Sequence, residues 1–358
     1  MPKKFAIGLA LCASVFIAFA EETKIDWHNL REAELEGKGW SETKAFYDRL
    51  PARAEKMVRP PVWSLSQDSA GMCARFVTDS RTISARWILR KSNLAMPHMP
   101  ASGVSGLDLY VKDHGQWRWV GAGRPTSATN DAVLASHLAP GTNEFLVYLP
   151  LYNGVQNVEL GVTPGSHFSP APKRRNGQPI VFYGTSILHG GCASRPGMAY
   201  PSIIGRKLDR PVINLGFSGN ALSEPELAQL LAELDPAAYV IDPLPNMDAA
   251  LVRERIEPFI HTLRQAHPKT SIVLVESLAY ADGFFVAPRK ERYTASNAAL
   301  RTVFARLKKD GVSNLHYVTG ENLIGNDGEG TVDGTHPNDL GFMRMAEKIE
   351  PVLRKLVK

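Results

Sequence analysis

Residues 180–187 read IVFYGTSI, a short apolar run that ends in a turn of small residues with one serine. The run at 180–183 predicts a buried strand, and Gly184, with Pro201 further along, predicts the passage of the chain into a helix. Open α/β sheets bind their ligands at the carboxyl ends of their strands. The stretch therefore predicts an α/β sheet that holds Ser186 at its ligand-binding edge.

Four more apolar runs follow in the same half of the chain, and each of the five precedes an amphipathic stretch. The four runs occupy residues 212–215, 239–241, 272–275 and 315–318. Strand–helix units in succession form parallel sheets that are covered by helices on both faces. We therefore predict a parallel sheet of five strands.

The first half of the chain has a different pattern. Between residues 62 and 162, short β-rich runs are separated by Gly, Pro, Asn and Asp, which predicts a β-sandwich. A chain of 358 residues is also long enough for two domains. We divide it into a lead-in and β-sandwich at 21–164, a linker rich in Pro, Gly, Arg and Lys at 165–178, and an α/β domain at 179–358.

The N terminus has the features of an export signal. Lys3 and Lys4 precede an apolar run at 5–19, and residues 18–20 have the small-x-small pattern of a cleavage site. We predict that residues 1–20 are a signal peptide and that the protein is periplasmic or secreted, without a membrane anchor. A transmembrane anchor is the alternative, although the run is short for one and contains Ser14.

Charge and cysteine content limit the kinds of partner. The formal net charge is +5, and cleavage of the signal peptide removes two lysines and no acid. So small a positive charge does not indicate a nucleic-acid partner. Cys73 and Cys192 remain after cleavage, and an exported protein can pair them, although two separate thiols agree equally with the sequence. The sequence does not indicate the oligomeric state.

Residues suited to a chemical reaction lie in four segments at predicted strand ends. The segments are GTS at 184–186, NLGFSGN at 214–220, DPLPNM at 242–247 and DGTHPN at 333–338. Asp333 precedes His336 by three residues, so its carboxylate can accept from one ring nitrogen while the other faces Ser186. The serine would then attack an acyl carbonyl. The backbone N–H groups of Ser186 and Gly219 and the side chain of Asn246 are candidate donors to the resulting oxyanion.

Ser186, Gly219, Asn246 and His336 match, in order, the four blocks of the SGNH, or GDSL-type, hydrolases, and the chain resembles that family from about residue 180 to its C terminus. Residues 106–110, GLDLY, are similar to the signature of an N-terminal domain that accompanies a subgroup of these esterases. The resemblance implies a flavodoxin-like, doubly wound catalytic domain after a β-sandwich. It also implies hydrolysis or transfer of small acyl groups with no metal and no other cofactor.

The chain departs from related patterns at three positions. Leu188 stands where the second glycine of a G-x-S-x-G turn would be, which disfavours an α/β-hydrolase. Thr185 stands where many SGNH members have Asp, and Leu244 stands where many have glycine. Neither of these two changes removes a catalytic atom, so they bear on the substrate class more than on activity.

We predict an exported serine esterase that removes acetyl or another short acyl group from a carbohydrate or similar polyhydroxylated compound, so the partner is a small-molecule or oligosaccharide ester. The alternatives are an acyltransferase with the same triad and a carbohydrate-binding protein with a vestigial catalytic domain. Candidate substrate contacts are His189, which closely follows the serine, His98, whose loop is long enough to reach the other domain, and Glu276, after the fourth strand. An exposed loop histidine and a solvated carboxylate are the alternatives for His98 and Glu276.

Overall fold

The computed structural model describes residues 1, 24–174 and 177–357. Apart from Met1, the predicted signal peptide at 1–20 lies outside the described residues. Among the described helices, none is both long and apolar enough to cross a membrane. The helices are α1 (Pro60–Ser66), α2 (Ala101–Val104), α3 (Ser186–His189), α4 (Tyr200–Leu208), α5 (Pro225–Leu231), α6 (Ala249–Ala266), α7 (Ala287–Lys309) and α8 (Asp339–Leu356).

The first half of the chain forms two antiparallel sheets. Their strands are β1 (Asp26–Asn29), β2 (Leu35–Glu36), β3 (Cys73–Thr78), β4 (Ile83–Leu89), β5 (Leu107–Asp113), β6 (Gln116–Gly123), β7 (Thr129–Ala135), β8 (Asn143–Tyr148), β9 (Val155–Val162) and β10 (Phe168–Pro170). One sheet has the order β1-β9-β4-β7, and the other has the order β10-β3-β8-β5-β6 with β2 added to β3. Both sheets contribute to one hydrophobic core around the buried Trp87. The predicted β-sandwich is confirmed.

The second half forms a parallel sheet of five strands, as predicted. The strands are β11 (Ile180–Gly184), β12 (Val212–Gly216), β13 (Ala238–Asp242), β14 (Ser271–Val275) and β15 (Leu315–Val318). Their spatial order is β12-β11-β13-β14-β15, and all four neighbouring pairs are parallel. The flavodoxin-like arrangement is confirmed, and it places β11 next to both β12 and β13.

Alternate residues of the strands serve the two faces of this sheet, because successive side chains of a strand point to opposite sides. Val181 and Tyr183 pack in one core with α5, α6 and α7. Ile180 and Phe182 pack in the other core with α4 and α8. Since both faces are covered, the strands are apolar at almost every position, as parallel strands usually are.

Residues 50–63 also belong to the core of the α/β domain. Their buried side chains pack in the same cluster as Val181 and Tyr183 of β11, and they are Leu50, Ala54, Val58, Val62 and Trp63. In the chain these residues lie between β2 and β3 of the sandwich, yet they complete the core of the α/β domain that follows it. The sequence pattern had placed this stretch with the lead-in and sandwich.

Candidate active site

Ser186 lies at the carboxyl end of β11, where the chain turns sharply into α3. Gly184 allows the ends of β11 and β13 to lie close together, because a Cβ there would come within 2.5 Å of the Asp242 carbonyl oxygen. Thr185 caps the helix by accepting from the Ile187 N–H at 3.3 Å. Ser186 is then the first helical residue and is 8% exposed, so its hydroxyl is held at the sheet edge and faces a limited opening.

His336 and Asp333 form a hydrogen-bonded chain with this serine. Ser186 Oγ lies 2.8 Å from His336 Nε2, and His336 Nδ1 lies 2.7 Å from Asp333 Oδ2. The turn with both residues comes directly before α8, whose N-terminal cap is Asn338 rather than Asp333. Asp333 is therefore free to orient the imidazole.

The local backbone prepares Asp333 for that orientation. Its Oδ1 accepts from the N–H groups of His336 at 2.7 Å and of Thr335 at 3.0 Å. Partial burial opposes ionisation, but these two N–H groups and the His336 imidazole outweigh it and lower the pKa of Asp333. The carboxylate is thus charged at neutral pH and stabilises a positive imidazole beside it.

The predicted oxyanion donors Gly219 and Asn246 contact each other. Gly219 has φ of +68°, the left-handed conformation that favours glycine. When Asn246 Oδ1 faces this turn, it accepts from the N–H groups of Gly219, Asn220 and Ala221 at 3.2, 2.9 and 3.1 Å. In this orientation the three hydrogen bonds to Oδ1 fix the shape of the Gly219 turn. The Nδ2 group of Asn246 can then donate to a ligand.

The loop that contains His98 brings this side chain next to His336. Its ring centroid lies 5.8 Å from that of His336, and the side chain is exposed. Cys192 is 5% exposed and lies near the same two rings. Cys73 and Cys192 are both free thiols, so the structure contains no bridge between the two domains at these positions.

The prediction that His189 contacts substrate is wrong, because the side chain is fully buried. Its ring stacks on Tyr152 with 4.1 Å between centroids, and its Nε2 lies 3.4 Å from Arg49 Nη2. Burial and the Arg49 charge hold the pKa of His189 well below its usual value. It is a neutral packing residue behind the serine.

The prediction for Glu276 is also wrong. The residue is 1% exposed, and its carboxylate accepts from Arg301 at 2.6 Å, from the Tyr317 hydroxyl at 2.7 Å and from the Gly320 N–H at 2.8 Å. Both carboxylate oxygens of Glu276 accept hydrogen bonds from groups of the protein. Glu276 joins the ends of β14 and β15 and does not face the site.

Arg49 supports the site, although no pattern in the sequence marks it. The side chain is 1% exposed and donates to the carbonyl groups of Asn214 and Gly216, both at 2.9 Å. Burial lowers the pKa of Arg49 to about 10, although Asp68 and Tyr152 oppose the shift. The guanidinium stays charged at neutral pH and fixes the end of β12 from which the Gly219 turn extends.

The GLDLY segment joins the sandwich to the loop that follows the serine. Asp108 is fully buried, and its Oδ2 accepts from Arg195 Nη1 and from the Gly197 N–H, both at 2.8 Å. Tyr110 also contacts Arg195. Asp108 and Tyr110 thus hold the loop of the α/β domain that contains Cys192.

Comparisons with known proteins agree with this architecture. Residues 177–354 match the GDSL-like lipase/acylhydrolase family, and residues 25–168 match the GxDLY domain, the N-terminus of SGNH-hydrolase-type esterases. A solved protein assigned as a GDSL-like lipase, from Bacteroides ovatus, is 37% identical over 93% of this chain and 98% of its own, with a TM-score of 0.88. This chain is a member of the GDSL-like lipase/acylhydrolase family. It is therefore an esterase or related hydrolase of the SGNH type.

More distant structures share the fold of this GDSL-like acylhydrolase. The salicylyl-acyltransferase SsfX3 from a tetracycline biosynthetic pathway is 19% identical over 93% of this chain and 99% of its own, with a TM-score of 0.74. A family two carbohydrate esterase from Cellvibrio japonicus is 14% identical over 93% and 98% of the two chains, with a TM-score of 0.61. The search of curated protein sequences found no match.

Proposed function

We propose that this GDSL-like acylhydrolase is an exported serine esterase that removes acetyl or another short acyl group from a carbohydrate or similar polyhydroxylated compound. The observation that carries the proposal is the continuous chain of contacts from Ser186 Oγ through His336 to Asp333, with 2.8 and 2.7 Å between the bonded atoms. A base at hydrogen-bond distance from a hydroxyl, oriented by a third group, is the arrangement that activates a serine.

In this mechanism, His336 Nε2 takes the Ser186 proton as Oγ attacks the ester carbonyl carbon. Asp333 keeps the proton of the neutral ring on Nδ1 and stabilises the imidazolium that forms. The tetrahedral intermediate then expels the alcohol, which receives the proton from Nε2, and leaves an acyl group on Ser186. Water, activated by the same nitrogen, hydrolyses the acyl-enzyme and returns the serine.

The oxyanion of each tetrahedral intermediate would be stabilised by the N–H of Ser186, the Nδ2 of Asn246 and the N–H of Gly219. The Ser186 N–H belongs to the first residue of α3, so it has no partner within that helix. The Gly219 N–H also donates to Asn246 Oδ1, so it would be shared between that oxygen and the oxyanion. Its distance of 3.2 Å is the longest of the three hydrogen bonds that Asn246 Oδ1 accepts. Removal of one such donor costs about 3–4 kcal/mol in well-studied hydrolases.

A cavity supports a polyhydroxylated substrate: its lining ends at Gly330, just before the His336 turn, and does not include Ser186, Asp333 or His336. It has a volume of about 540 Å³ and is lined by aromatic side chains together with amide and carboxylate groups, among them Tyr280, Phe284, Tyr293, Asn322 and Asp327. Its loop is tied to the catalytic turn, because the Ala281 N–H donates to the Gly334 carbonyl at 2.8 Å. Aromatic faces with a few convergent polar groups suit a sugar ring, which has apolar faces and polar edges.

Two further parts of the proposal have separate support. The carbohydrate assignment also draws on a fold shared with proteins described as carbohydrate esterases, which is an argument by analogy. Export rests on the pattern of residues 1–20. The proposed partner is a small-molecule or oligosaccharide ester, with no nucleic acid and no membrane anchor.

Replacing Ser186 by alanine tests the mechanism. We expect kcat for p-nitrophenyl acetate to fall by about 10⁴–10⁶-fold, as when the nucleophile of other triads is removed. Ser202→Ala is a matched control, since Ser202 is also a buried serine on a helix, α4, and we expect it to leave kcat unchanged. Turnover by a folded Ser186→Ala protein at the wild-type rate would refute the proposal.

The acyl-enzyme could instead pass its acyl group to an alcohol, and one structure with the same fold is described as an acyltransferase. Product partitioning between water and added alcohol acceptors separates the two activities. Acetate release from acetylated oligosaccharides, with water as acceptor, is the expected result. Failure of a fluorophosphonate probe to label Ser186 would instead favour a binding protein without catalysis.

A further inference from the structure

Three metal-ligating side chains from distant parts of the chain converge beside Ser186. They are His98, Cys192 and His336, and one ligand atom of each lies within 4.8 Å of the other two. Among the residues that the structure describes, no other group of three or more His, Cys, Asp and Glu side chains lies close enough together to hold a metal ion. Two imidazoles and a thiol form a donor set that suits zinc and similar ions and does not suit magnesium or calcium.

The loops that contain His98 and Cys192 are each held by hydrogen bonds. His98 lies at the tip of a turn that is closed by two hydrogen bonds between Met96 and Met99, both 3.0 Å, and Met99 is buried at its base. Cys192 precedes Ala193 and Ser194, and the Ser194 N–H donates to Asp339 at 2.9 Å. The cluster is thus built on anchored loops, and the exposed His98 leaves a path for an ion from solvent.

We propose that His98, Cys192 and His336 bind a zinc ion that switches the esterase off. In tetrahedral zinc sites with Zn–N of about 2.0 Å and Zn–S of about 2.3 Å, the ligand atoms lie about 3.3–3.7 Å apart, so the cluster must contract by roughly 1 Å. Binding converts the Cys192 thiol to a thiolate and releases its proton to solvent. Water completes the fourth position.

The carboxylate next to His336 makes this ring a good ligand and decides which nitrogen binds. Asp333 holds Nδ1 at 2.7 Å, so Nε2 is left for the metal. A carboxylate behind a metal-bound histidine fixes the ring and increases its basicity. Since the same Nε2 contacts Ser186 Oγ at 2.8 Å, a bound ion occupies the lone pair that would take the serine proton.

Binding is tested first, without reference to activity. The full chain with Ser186→Ala retains all three ligands, and Co²⁺ serves as a probe because a cobalt–thiolate bond absorbs in the near ultraviolet. We expect one Co²⁺ per chain, displaced by one Zn²⁺, and no competition from Mg²⁺. Absence of the cobalt–thiolate absorption band would refute the metal site, whether or not the protein is an esterase.

Ligand identity is tested with His98→Ala and Cys192→Ala in the same background. Loss of even an indirect partner of a metal commonly weakens affinity about 10–100-fold, so each change should raise the zinc Kd at least tenfold. The matched controls are His137→Ala, an exposed histidine of the sandwich, and Cys73→Ala, the other buried free thiol. Equal Kd values in His98→Ala, Cys192→Ala and their controls would refute the assignment.

Inhibition is tested on the protein with Ser186 intact, and this part rests on the proposed role of His336. Zinc should abolish p-nitrophenyl acetate hydrolysis at the concentration that fills the site, and EDTA should restore it. Each variant is compared with its own rate in the absence of metal. Weaker inhibition of His98→Ala and Cys192→Ala supports the switch, and full activity with zinc bound refutes it.

Discussion

Asp333→Asn changes the charge beside His336 with almost no change in size. In the native protein the two carboxylate oxygens serve two sets of donors. Oδ2 accepts from His336 Nδ1 at 2.7 Å, while Oδ1 accepts from the N–H groups of His336 and Thr335 at 2.7 and 3.0 Å. Asparagine has only one acceptor oxygen, so it cannot satisfy both sets.

The two orientations of the new amide have different consequences for catalysis. If its oxygen stays on the backbone N–H groups, its NH₂ faces Nδ1 of His336, the ring proton moves to Nε2, and the base is blocked; such a tautomer change costs about 10⁴ in kcat in well-studied triads. If the oxygen turns to Nδ1, two backbone N–H groups lose their acceptor, at about 1–1.5 kcal/mol each in this partly exposed turn.

The second orientation is therefore active but is adopted by only one molecule in about 30–150. The lost attraction between carboxylate and imidazolium adds about 1 kcal/mol, since both groups are partly exposed. Together these effects predict a fall in kcat of about 10²–10³-fold. The expected loss is thus smaller than for Ser186→Ala.

Initial rates with p-nitrophenyl acetate, corrected for spontaneous hydrolysis, measure this fall, and thermal unfolding shows whether the variant folds. Asp131→Asn is a suitable control, because Asp131 is an exposed aspartate that pairs with Arg86 on the sandwich. If a folded Asp333→Asn protein kept kcat within threefold of the wild type, Asp333 would not orient the base.

Two further variants test one oxyanion donor and a buried carboxyl group near the site. Asn246→Ala should lower kcat for p-nitrophenyl acetate by about 10²–10³-fold, and a loss below threefold would remove Asn246 from the oxyanion site. Burial raises the pKa of Asp242 from 3.8 to about 8, although the Tyr200 hydroxyl opposes the shift. The stability that the protonated form contributes is complete below pH 3.8 and is lost as the pH rises through about 8. The free energy of unfolding of Asp242→Asn minus that of the wild type should therefore increase by several kcal/mol from pH 5 to pH 9. Urea titrations at both pH values measure the gain, and an equal difference at both would contradict it.

The sheet and the serine could be predicted because their signals are local. An apolar run such as 180–183 indicates a strand by itself, and strands in a parallel sheet bring their carboxyl ends to one edge. The pairing of Asp333 with His336 is equally local, since three residues separate them. Short-range patterns therefore sufficed to predict that Ser186, His336 and Asp333, the residues of the proposed triad, lie together.

The contacts of the first half of the chain with the second could not be predicted in this way. Arg49 binds the carbonyl of Gly216, which is 167 residues away, and no motif marks a single arginine as a long-range donor. The errors for His189 and Glu276 have a related cause. Nearness in sequence to a strand end does not tell which way a side chain points, and both side chains point into the protein.

The contribution of residues 50–63 to the second core has a consequence for how the protein is made. This segment leaves the ribosome before β3 and the rest of the sandwich, while the elements of the α/β domain that share its core are synthesised after the sandwich. Its apolar side chains stay exposed until those elements have been synthesised, so residues 179–358 alone lack part of their own core. The two halves are consequently not exchangeable modules, and a fusion at residues 165–178 would separate the second core from part of its own packing.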